Sequence, residues 1–280
     1  MARRSTPFKI SSRMTRPASI ACLIVLLGNL GVAKPASQVH RRIVQLVARI
    51  QRADYEGDRA SLQRLYEDLG AFQQDKRFAS RVAYWRGFAL WRKALNGFNE
   101  SAPPKELEAD LELAVTEFEK SSAADPGFAD AKIAEGSCLS NLIFLSQDNS
   151  ARVQELVAKA GPLLKQAQAE APTNPRLYWV LGPTRWYAPA DRGGGQLKAI
   201  ELYRKGLQLA QEGQGRSQDP LDPSWGKPEL LMNLAWSNLH LATPDPQAAQ
   251  AYAQSALHLV PYWHYVRDIL MPQIRKAMGE

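Results

Sequence analysis

The chain has 280 residues, of which 45% are hydrophobic and 9% aromatic, so it can bury a core and is not disordered by composition. Its formal net charge of +7 is concentrated at the start, because residues 1–33 hold five basic residues and no acidic residue. The remaining 247 residues carry a net charge of +2, which argues against nucleic-acid binding through a basic stripe.

Residues 1–33 have the pattern of a signal peptide. A basic stretch precedes an apolar run that begins at Ile20, and small residues at Gly31 and Ala33 predict cleavage after Ala33. The run spans about 14 residues, fewer than the roughly 20 that cross a bilayer, so we expect membrane contact only through the signal peptide. An uncleaved anchor is the alternative, and Met14 is an alternative start. We therefore predict an exported protein, either periplasmic or secreted.

The two ends of the remaining chain have patterns of their own. Residues 38–77 are predicted to form an N-terminal helical hairpin, because apolar residues keep a helical period on both sides of a break at Gly57. Residues 262–280 are predicted to form a C-terminal capping helix that is interrupted at Pro272.

Between these ends one short spacing recurs four times. A small residue is followed four positions later by a bulkier or apolar residue, and three positions after that by another small one. Offsets of four and seven place side chains on one stripe of a helix, where small residues let a neighbouring helix approach closely. In three copies a proline five residues further on ends the helix. The copies are Ala114/Phe118/Ser121/Pro126, Ala160/Leu164/Ala167/Pro172, Ala199/Tyr203/Gly206 and Ala249/Ala253/Ala256/Pro261.

A packing unit repeated in this way predicts a helical solenoid over residues 78–261. Each of its four repeats has a first and a second helix, and each first helix carries a small residue at an equivalent place. The first helices are predicted at 79–96, 128–146, 175–187 and 228–241, and the second helices at 106–123, 151–170, 196–212 and 246–259. The small residues on the first helices are Gly87, Gly136, Gly182 and Ala235.

These four repeats resemble the tetratricopeptide repeat family. The third unit resembles it at its start, with Tyr178, Leu181 and Gly182, and the other units mainly through the alanine and proline positions of their second helices. The resemblance implies an all-α, right-handed superhelical array of antiparallel helix hairpins. The spacings between the small residues of the first helices are 49, 46 and 53, against 34 in the family. Either the hairpins are taller or they carry inserted loops, and a HEAT-like array is the alternative fold.

All seven tryptophans lie outside the second helices. In tetratricopeptide arrays the first helices line a concave groove that receives an extended or helical peptide, and aromatic and arginine side chains supply much of the energy at interfaces. The resemblance therefore implies a scaffold that binds a protein or peptide partner on an aromatic-rich concave surface. The alternative is that these aromatic side chains pack between adjacent helices. The predicted binding residues are Tyr84, Trp91, Arg92, Trp179, Arg185, Trp186, Tyr187, Trp225 and Trp236.

The segment from Pro183 to Gly195 gives an alternative function. Its successive glycines could expose backbone N–H groups before a helix and attract an anion, with help from Arg185 and Arg192. No Gly-Lys-Ser/Thr follows, so the segment is not a nucleotide-binding P-loop. The alternative is a small-ligand-binding accessory of a solute-uptake system that uses the Arg185–Gly195 loop. A second loop, 219–228, is predicted to meet it over one end of the third repeat.

The sequence does not predict an enzyme. The patterns His-Glu-x-x-His, Gly-x-Ser-x-Gly and Cys-x-x-Cys are absent. Cys138 is the only cysteine after residue 33, and we interpret it as a small buried apolar residue. The histidines nearest in sequence, His258 and His264, are separated by a helix-breaking Pro261, so we predict no metal site and no cofactor.

Overall fold

The computed structural model describes residues 38–280, and the predicted signal peptide lies outside them. The described residues form eleven α-helices and no strand. Helices pack mainly against their neighbours in sequence, so the predicted all-α, solenoid-like array of hairpins is confirmed. The helices are α1 Gln38–Glu56, α2 Arg59–Leu69, α3 Ala79–Asn99, α4 Pro104–Ala124, α5 Ala129–Leu145, α6 Ser150–Glu170, α7 Pro175–Trp186, α8 Gln196–Gln211, α9 Lys227–Leu239, α10 Pro246–Leu259 and α11 Met271–Met278.

Prolines and short polar side chains set many of the helix ends. Pro126, Pro172 and Pro261 each stand two residues after the last residue of α4, α6 and α10, as their spacing predicts. At four helix starts a side-chain oxygen accepts a backbone N–H that has no partner inside the helix. These N-cap residues are Asp58, Asn149, Asn174 and Asp245.

The predicted close contacts at small residues are confirmed. A Cβ atom added to Gly87 in α3 would lie 2.9 Å from a ring carbon of Phe118 in α4, closer than real Cβ atoms come to other atoms. A Cβ added to Gly182 in α7 would overlap the ring of Tyr203 in α8. The helices of a hairpin therefore pack too tightly to admit a larger side chain at these positions. The small residues of the second helices are buried as well: Ala114, Ser121, Ala160, Ala167, Ala199, Gly206, Ala249, Ala253 and Ala256.

The extra length of the repeats takes two forms. In the first two hairpins the helices themselves are long, with 21 residues in α3, α4 and α6. In the third hairpin α7 has only 12 residues, and the extra length lies in the connections 187–195 and 212–226. Both explanations suggested by the sequence, taller hairpins and inserted loops, therefore apply, each to a different part of the array.

The end of the chain differs from the prediction of one helix broken at Pro272. A π-helical stretch, Tyr265–Leu270, leads directly into α11. Pro272 lies in the first turn of α11, where its missing N–H leaves no helical hydrogen bond unmade. The interruption is therefore a change of helix type before the proline and not a break at it.

The first helices of the hairpins form an inner layer. α1 contacts α3, α3 contacts α5, α5 contacts α7, and α7 contacts α9. The second helices pack chiefly against these inner helices and form the outer layer. Because the chain reverses twice between successive inner helices, these helices run in the same direction and their C-terminal ends share one edge of the layer.

The first inner helix also contacts the last part of the chain. The ring of Tyr55 in α1 packs edge-on against Trp263, with 5.0 Å between centroids, and its hydroxyl donates to Glu229 Oε1 at 2.7 Å. The Arg52 guanidinium lies 3.6 Å from the centroid of Tyr262. The N-terminal hairpin, expected to cap one end of the array, therefore packs against residues from its other end as well.

Candidate functional site

The centre of the inner layer is a closed aromatic cluster. Tyr84, Trp91, Arg92, Trp179 and Trp225 are all buried. The three tryptophan rings contact one another edge-on, with centroids 5.5 to 5.7 Å apart. The prediction that these five side chains line an open concave surface is therefore wrong.

The cover over this cluster is the chain's own segment 219–226, the last part of the connection between α8 and α9, which we call the groove segment. Trp85 Nε1 donates to the carbonyl oxygen of Leu221 at 2.7 Å. Trp225 inserts its indole between the inner helices, and its Nε1 donates to the hydroxyl of Tyr84 at 2.8 Å. The inner helices therefore do form a groove, and the chain fills it itself.

An ion pair holds the groove segment near its start, and a hydrogen bond from a buried arginine holds it near its end. Arg81 Nε lies 2.6 Å from a carboxylate oxygen of Asp222. Arg176 binds both carboxylate oxygens of Asp130, at 2.6 and 2.9 Å, and donates through Nη1 to the carbonyl of Trp225 at 3.2 Å. Burial is the largest single influence on the pKa of Arg176 and lowers it, but the charge and hydrogen bonds of Asp130 together with the nearby Tyr84 and Glu229 leave this pKa above its ordinary value. The guanidinium therefore stays charged while it holds the segment.

A second buried network joins three inner helices. Arg92 Nε in α3 lies 2.8 Å from Asp54 Oδ1 in α1, and its Nη2 lies 4.0 Å from Glu229 Oε1 in α9. Glu229 also accepts from the Tyr55 hydroxyl and from the backbone N–H of Gly226. Burial raises the pKa of Glu229, and the nearby Arg92 charge opposes that rise. This network makes Arg92 a link between helices and not a surface-binding residue.

Three donors in the centre have no acceptor among residues 38–280. They are Trp91 Nε1, Trp179 Nε1 and Arg92 Nη1, and all three are buried. They belong to one cluster, since the Arg92 guanidinium carbon lies 5.6 and 5.9 Å from the centroids of the two rings. Buried donors are almost always paired in folded proteins, so this cluster is an exception.

A second group of aromatic side chains stands at the C-terminal ends of the inner helices. Phe98 of α3 and Phe144 of α5 have ring centroids 6.2 Å apart, and Trp186 of α7 and Trp236 of α9 have centroids 5.1 Å apart. These contacts agree with the shared edge described above. We call this group the aromatic edge, and its members are Phe98, Phe144, Trp186, Tyr187, Trp236 and His240.

Parts of the aromatic edge are open to solvent. The side chain of Phe144 is 56% exposed and that of Tyr187 is 76% exposed. Trp236 is half-buried, and Trp186 is buried beneath it. Of the nine predicted binding residues, Arg185, Tyr187 and Trp236 therefore remain at the surface. Phe144, which sequence reasoning missed, follows an apolar run on α5 and has no sequence signal that separates it from a core residue.

The histidine of the aromatic edge has a fixed orientation. The His240 ring stacks on Trp236 with 4.3 Å between centroids and 19° between planes. Its Nδ1 lies 2.7 Å from the Trp236 carbonyl oxygen, so in the neutral ring Nδ1 is the donor and Nε2 carries the free lone pair. The side chain of Gln196 holds the backbone that follows α9, because it donates to the carbonyl of His240 at 3.2 Å and accepts from the N–H of Ala242 at 3.0 Å.

The glycine-rich loop is closed on itself. The N–H groups of Gly193, Gly194 and Gly195 donate to carbonyl oxygens of Ala190, Pro189 and Arg185, all inside the loop. These amides are therefore not free to hold an anion as the sequence suggested.

The two loops that were predicted to meet do not do so. The groove segment contacts Arg176 and Trp179 in the first two turns of α7. The glycine-rich loop, Arg185–Gly195, begins at the C-terminal end of α7. The glycine-rich loop lies within the α7–α8 hairpin and the groove segment follows that hairpin, so the two lie at opposite ends of its helices and the predicted pocket between them is not formed.

Residues 38–280 contain no group of three or more His, Cys, Asp or Glu side chains that could hold a metal ion. None of the helices in this part of the chain has both the length and the apolar composition needed to cross a membrane. Cys138 is wholly buried, as predicted, and burial raises the pKa of its thiol well above the ordinary value.

Comparison with known proteins gives one structural similarity. No family model matches the chain, and no curated protein matches it. Among solved structures, the HusA haemophore from Porphyromonas gingivalis is similar, with a TM-score of 0.56 and 18% sequence identity. The similarity covers 75% of this chain and 99% of that one. At this identity the similarity concerns the helical fold alone.

Proposed function

We propose that the mature chain is an exported binding protein that holds a protein or peptide segment against its aromatic edge. In this proposal residues 1–33 are a cleaved signal peptide, and the hairpins are degenerate tetratricopeptide-like repeats that serve as a scaffold. The observation that carries the proposal is the exposure of Phe144 and Tyr187 at the ends of two packed helices. The fold similarity to a haemophore, a binding protein by its name, favours binding over catalysis.

The aromatic edge has the physical properties that a binding surface needs. Aromatic side chains contribute large contact areas at a small entropic cost, and many interface hot spots are aromatic. The side chains here stand on helices that are already packed, so little ordering is needed when a partner binds. We place the proposed binding site at the aromatic edge and not at the concave centre predicted from the sequence, because the groove segment covers the centre.

Peptide selection on the purified mature chain tests this function. A selected peptide should bind the variant Phe144→Ala/Tyr187→Ala at least about tenfold more weakly, a loss of about 1.4 kcal/mol. The matched control is Leu113→Ala/Val157→Ala, which removes apolar side chains that are 49% and 51% exposed on outer helices α4 and α6. The control should bind as the wild type does. Equal loss in both variants, or none in either, contradicts the proposal.

A second candidate function is binding of a small planar ligand on the ring stack of Trp236 and His240. The stack favours it, because the exposed His240 has its Nδ1 bonded to the Trp236 carbonyl, which leaves Nε2 as the acceptor of the neutral ring beside a half-buried indole. In this candidate the Arg185–Gly195 loop predicted from the sequence also contacts the ligand, through the exposed side chains of Arg185 and Tyr187.

Because the structural neighbour is a haemophore, haem is the probe to use for the second candidate. Haem titrated into the mature chain should give a saturable shift of its main absorption band. His240→Ala should weaken the binding, whereas His258→Ala, on outer helix α10, should leave it unchanged. A shift that is unsaturable, or equal in both variants, rules out this candidate.

A further inference from the structure

The groove segment begins with a turn, in which the N–H of Asp222 donates to the carbonyl of Asp219, and its remaining residues are bound in the way that a linear peptide ligand would be bound. It has neither helix nor strand, and its apolar residues Leu221 and Trp225, four positions apart, are both buried. Between them, Asp222 is partly exposed and forms an ion pair with Arg81. The segment thus has two apolar anchors and one carboxylate, a pattern typical of short linear ligands.

The groove recognises the segment through both its backbone and its side chains. The carbonyls of Leu221 and Trp225 accept from Trp85 and Arg176. From α1, Gln51 donates to the hydroxyl of Ser224 at 2.8 Å. Contacts to backbone carbonyls do not depend on the side chains of the bound segment, so another extended segment could make them.

The chain's own segment does not satisfy all donors of the groove. Trp91 Nε1, Trp179 Nε1 and Arg92 Nη1 have no acceptor in residues 38–280, although Trp225 packs against both tryptophan rings. A segment that offers additional carbonyl or carboxylate oxygens there would be a better ligand than the one present.

The connection to α8 is held at Gly215, whose carbonyl accepts from Arg176 at 3.1 Å, but it contains no helix that would have to unfold if the segment left the groove. Residues 216–220 are exposed and irregular. Gly213 and Gly215, just before them, have φ values of 85° and 71°, in the left-handed region that glycine adopts without strain.

We propose that the groove segment is a displaceable internal ligand. The vacated groove takes an extended peptide that carries an aromatic anchor four residues after an apolar one, with a carboxylate between them. This inference shares with the proposed function only the view that the chain binds other molecules, since it concerns a different surface.

The test uses a fluorescent synthetic peptide of residues 217–227 and the full mature chain with Trp225→Ala, which weakens the internal segment. The variant should bind the peptide in fluorescence anisotropy at least tenfold more tightly than the wild type does. The same peptide with its tryptophan replaced by alanine should lose this binding. The inference is overturned if the folded variant does not bind the peptide, or if it binds both peptides with equal affinity.

A second variant keeps the inference testable if Trp225→Ala does not fold. Asp222→Ala removes the ion pair with Arg81 without opening a cavity, and it should also bind the peptide more tightly than the wild type does. The absence of any gain in Asp222→Ala then overturns the inference. Phe144→Ala/Tyr187→Ala, combined with Asp222→Ala, should leave peptide binding unchanged, so the proposals for the edge and the groove fail separately.

Discussion

The closed centre and the open aromatic edge are built from the same helices and the same kinds of residue. On α3, Trp91 belongs to the centre and Phe98, seven residues later, to the edge. On α7, Trp179 and Trp186 stand in the same relation. Seven residues are about two turns, or about 10 Å along the helix, so each pair lies on one stripe. The difference between the two regions is that the groove segment covers the first member of each pair and ends before the second.

The comparison shows that the groove segment encloses Trp91 and Trp179, whereas beyond its end the outermost aromatic side chains face solvent. In the centre, the ion pair of Arg81 with Asp222 and the hydrogen bonds of two indoles hold the groove segment in place. The edge has ring contacts between neighbouring helices, but its outermost rings face solvent. We therefore expect substitutions in the centre to change stability, and substitutions at the edge to change binding.

The largest expected effect is that of Arg176→Ala in the centre. Removal of this guanidinium leaves Asp130 buried beside Asn174 without its cation, and it frees the carbonyl of Trp225. Breaking a buried pair in this way costs about 3–5 kcal/mol, which urea unfolding of the purified chain would measure. The control is Lys198→Ala, because Lys198 pairs with Glu201 at an exposed site where the loss should stay within about 0.5 kcal/mol. If both variants lost a similar free energy of unfolding, the buried ion pair would contribute no more to stability than the exposed one.

A smaller effect is expected for Gly182→Ala, where the added methyl group overlaps the ring of Tyr203. Overpacking of this kind costs about 1–3 kcal/mol in the free energy of unfolding. Gly161→Ala in α6 is the matched control, because no atom lies within 4 Å of a Cβ added there. The control should change the free energy of unfolding by less than about 0.5 kcal/mol, because the helix preference of alanine is offset by the restriction that Pro162 places on the residue before it. An equal loss in both variants would contradict the tight packing of α7 on α8.

The pH dependence of stability should reveal a half-buried carboxyl group on α5. Burial, with a smaller contribution from the charge of Glu119, raises the pKa of Glu135 to about 7. The folded state therefore binds this proton more tightly than the unfolded state, in which the pKa is about 4.3, and stability falls as pH rises between these two values. Glu135→Gln should raise the melting temperature relative to wild type at pH 8, with little difference at pH 4. An equal difference at both pH values would exclude this titration.

The smallest effect on stability is expected at the aromatic edge. Phe144→Ser and Tyr187→Ser should change the free energy of unfolding by no more than about 0.5 kcal/mol, because both side chains are largely exposed. If the proposed function is right, the same substitutions weaken peptide binding in the selection assay. A loss of stability comparable to that of Arg176→Ala would show that the edge is part of the core.

Much of the fold could be predicted, because its signals are local. The predicted second helix at 246–259 has the bounds of α10, and the ends of the other repeat helices differ from their predictions by at most three residues. Small residues at offsets of four and seven mark the stripe that packs against the partner helix. Prolines mark where the helix can no longer continue.

The candidate site could be predicted only in part. The tryptophans were correctly assigned to the inner helices and their connections, but five of the nine proposed residues are enclosed in the centre. Asp54 and Glu229 went unrecognised because neither differs in local pattern from an ordinary surface carboxylate. Their partners lie 38 and 174 residues away, in Arg92 and Tyr55.

The sequence by itself determined the helices, their pairing into hairpins and the order in which the hairpins stack, since each depends on residues within about two helices of one another. Only the tertiary structure decided that residues 219–226 fold back over α3 and α7 and that α1 contacts α9. These contacts join residues as far apart as Trp85 and Leu221, and a helical period carries no information about partners at that separation. The helices that form the groove therefore follow from local sequence patterns, whereas the segment that fills the groove is set by contacts between residues far apart in the chain.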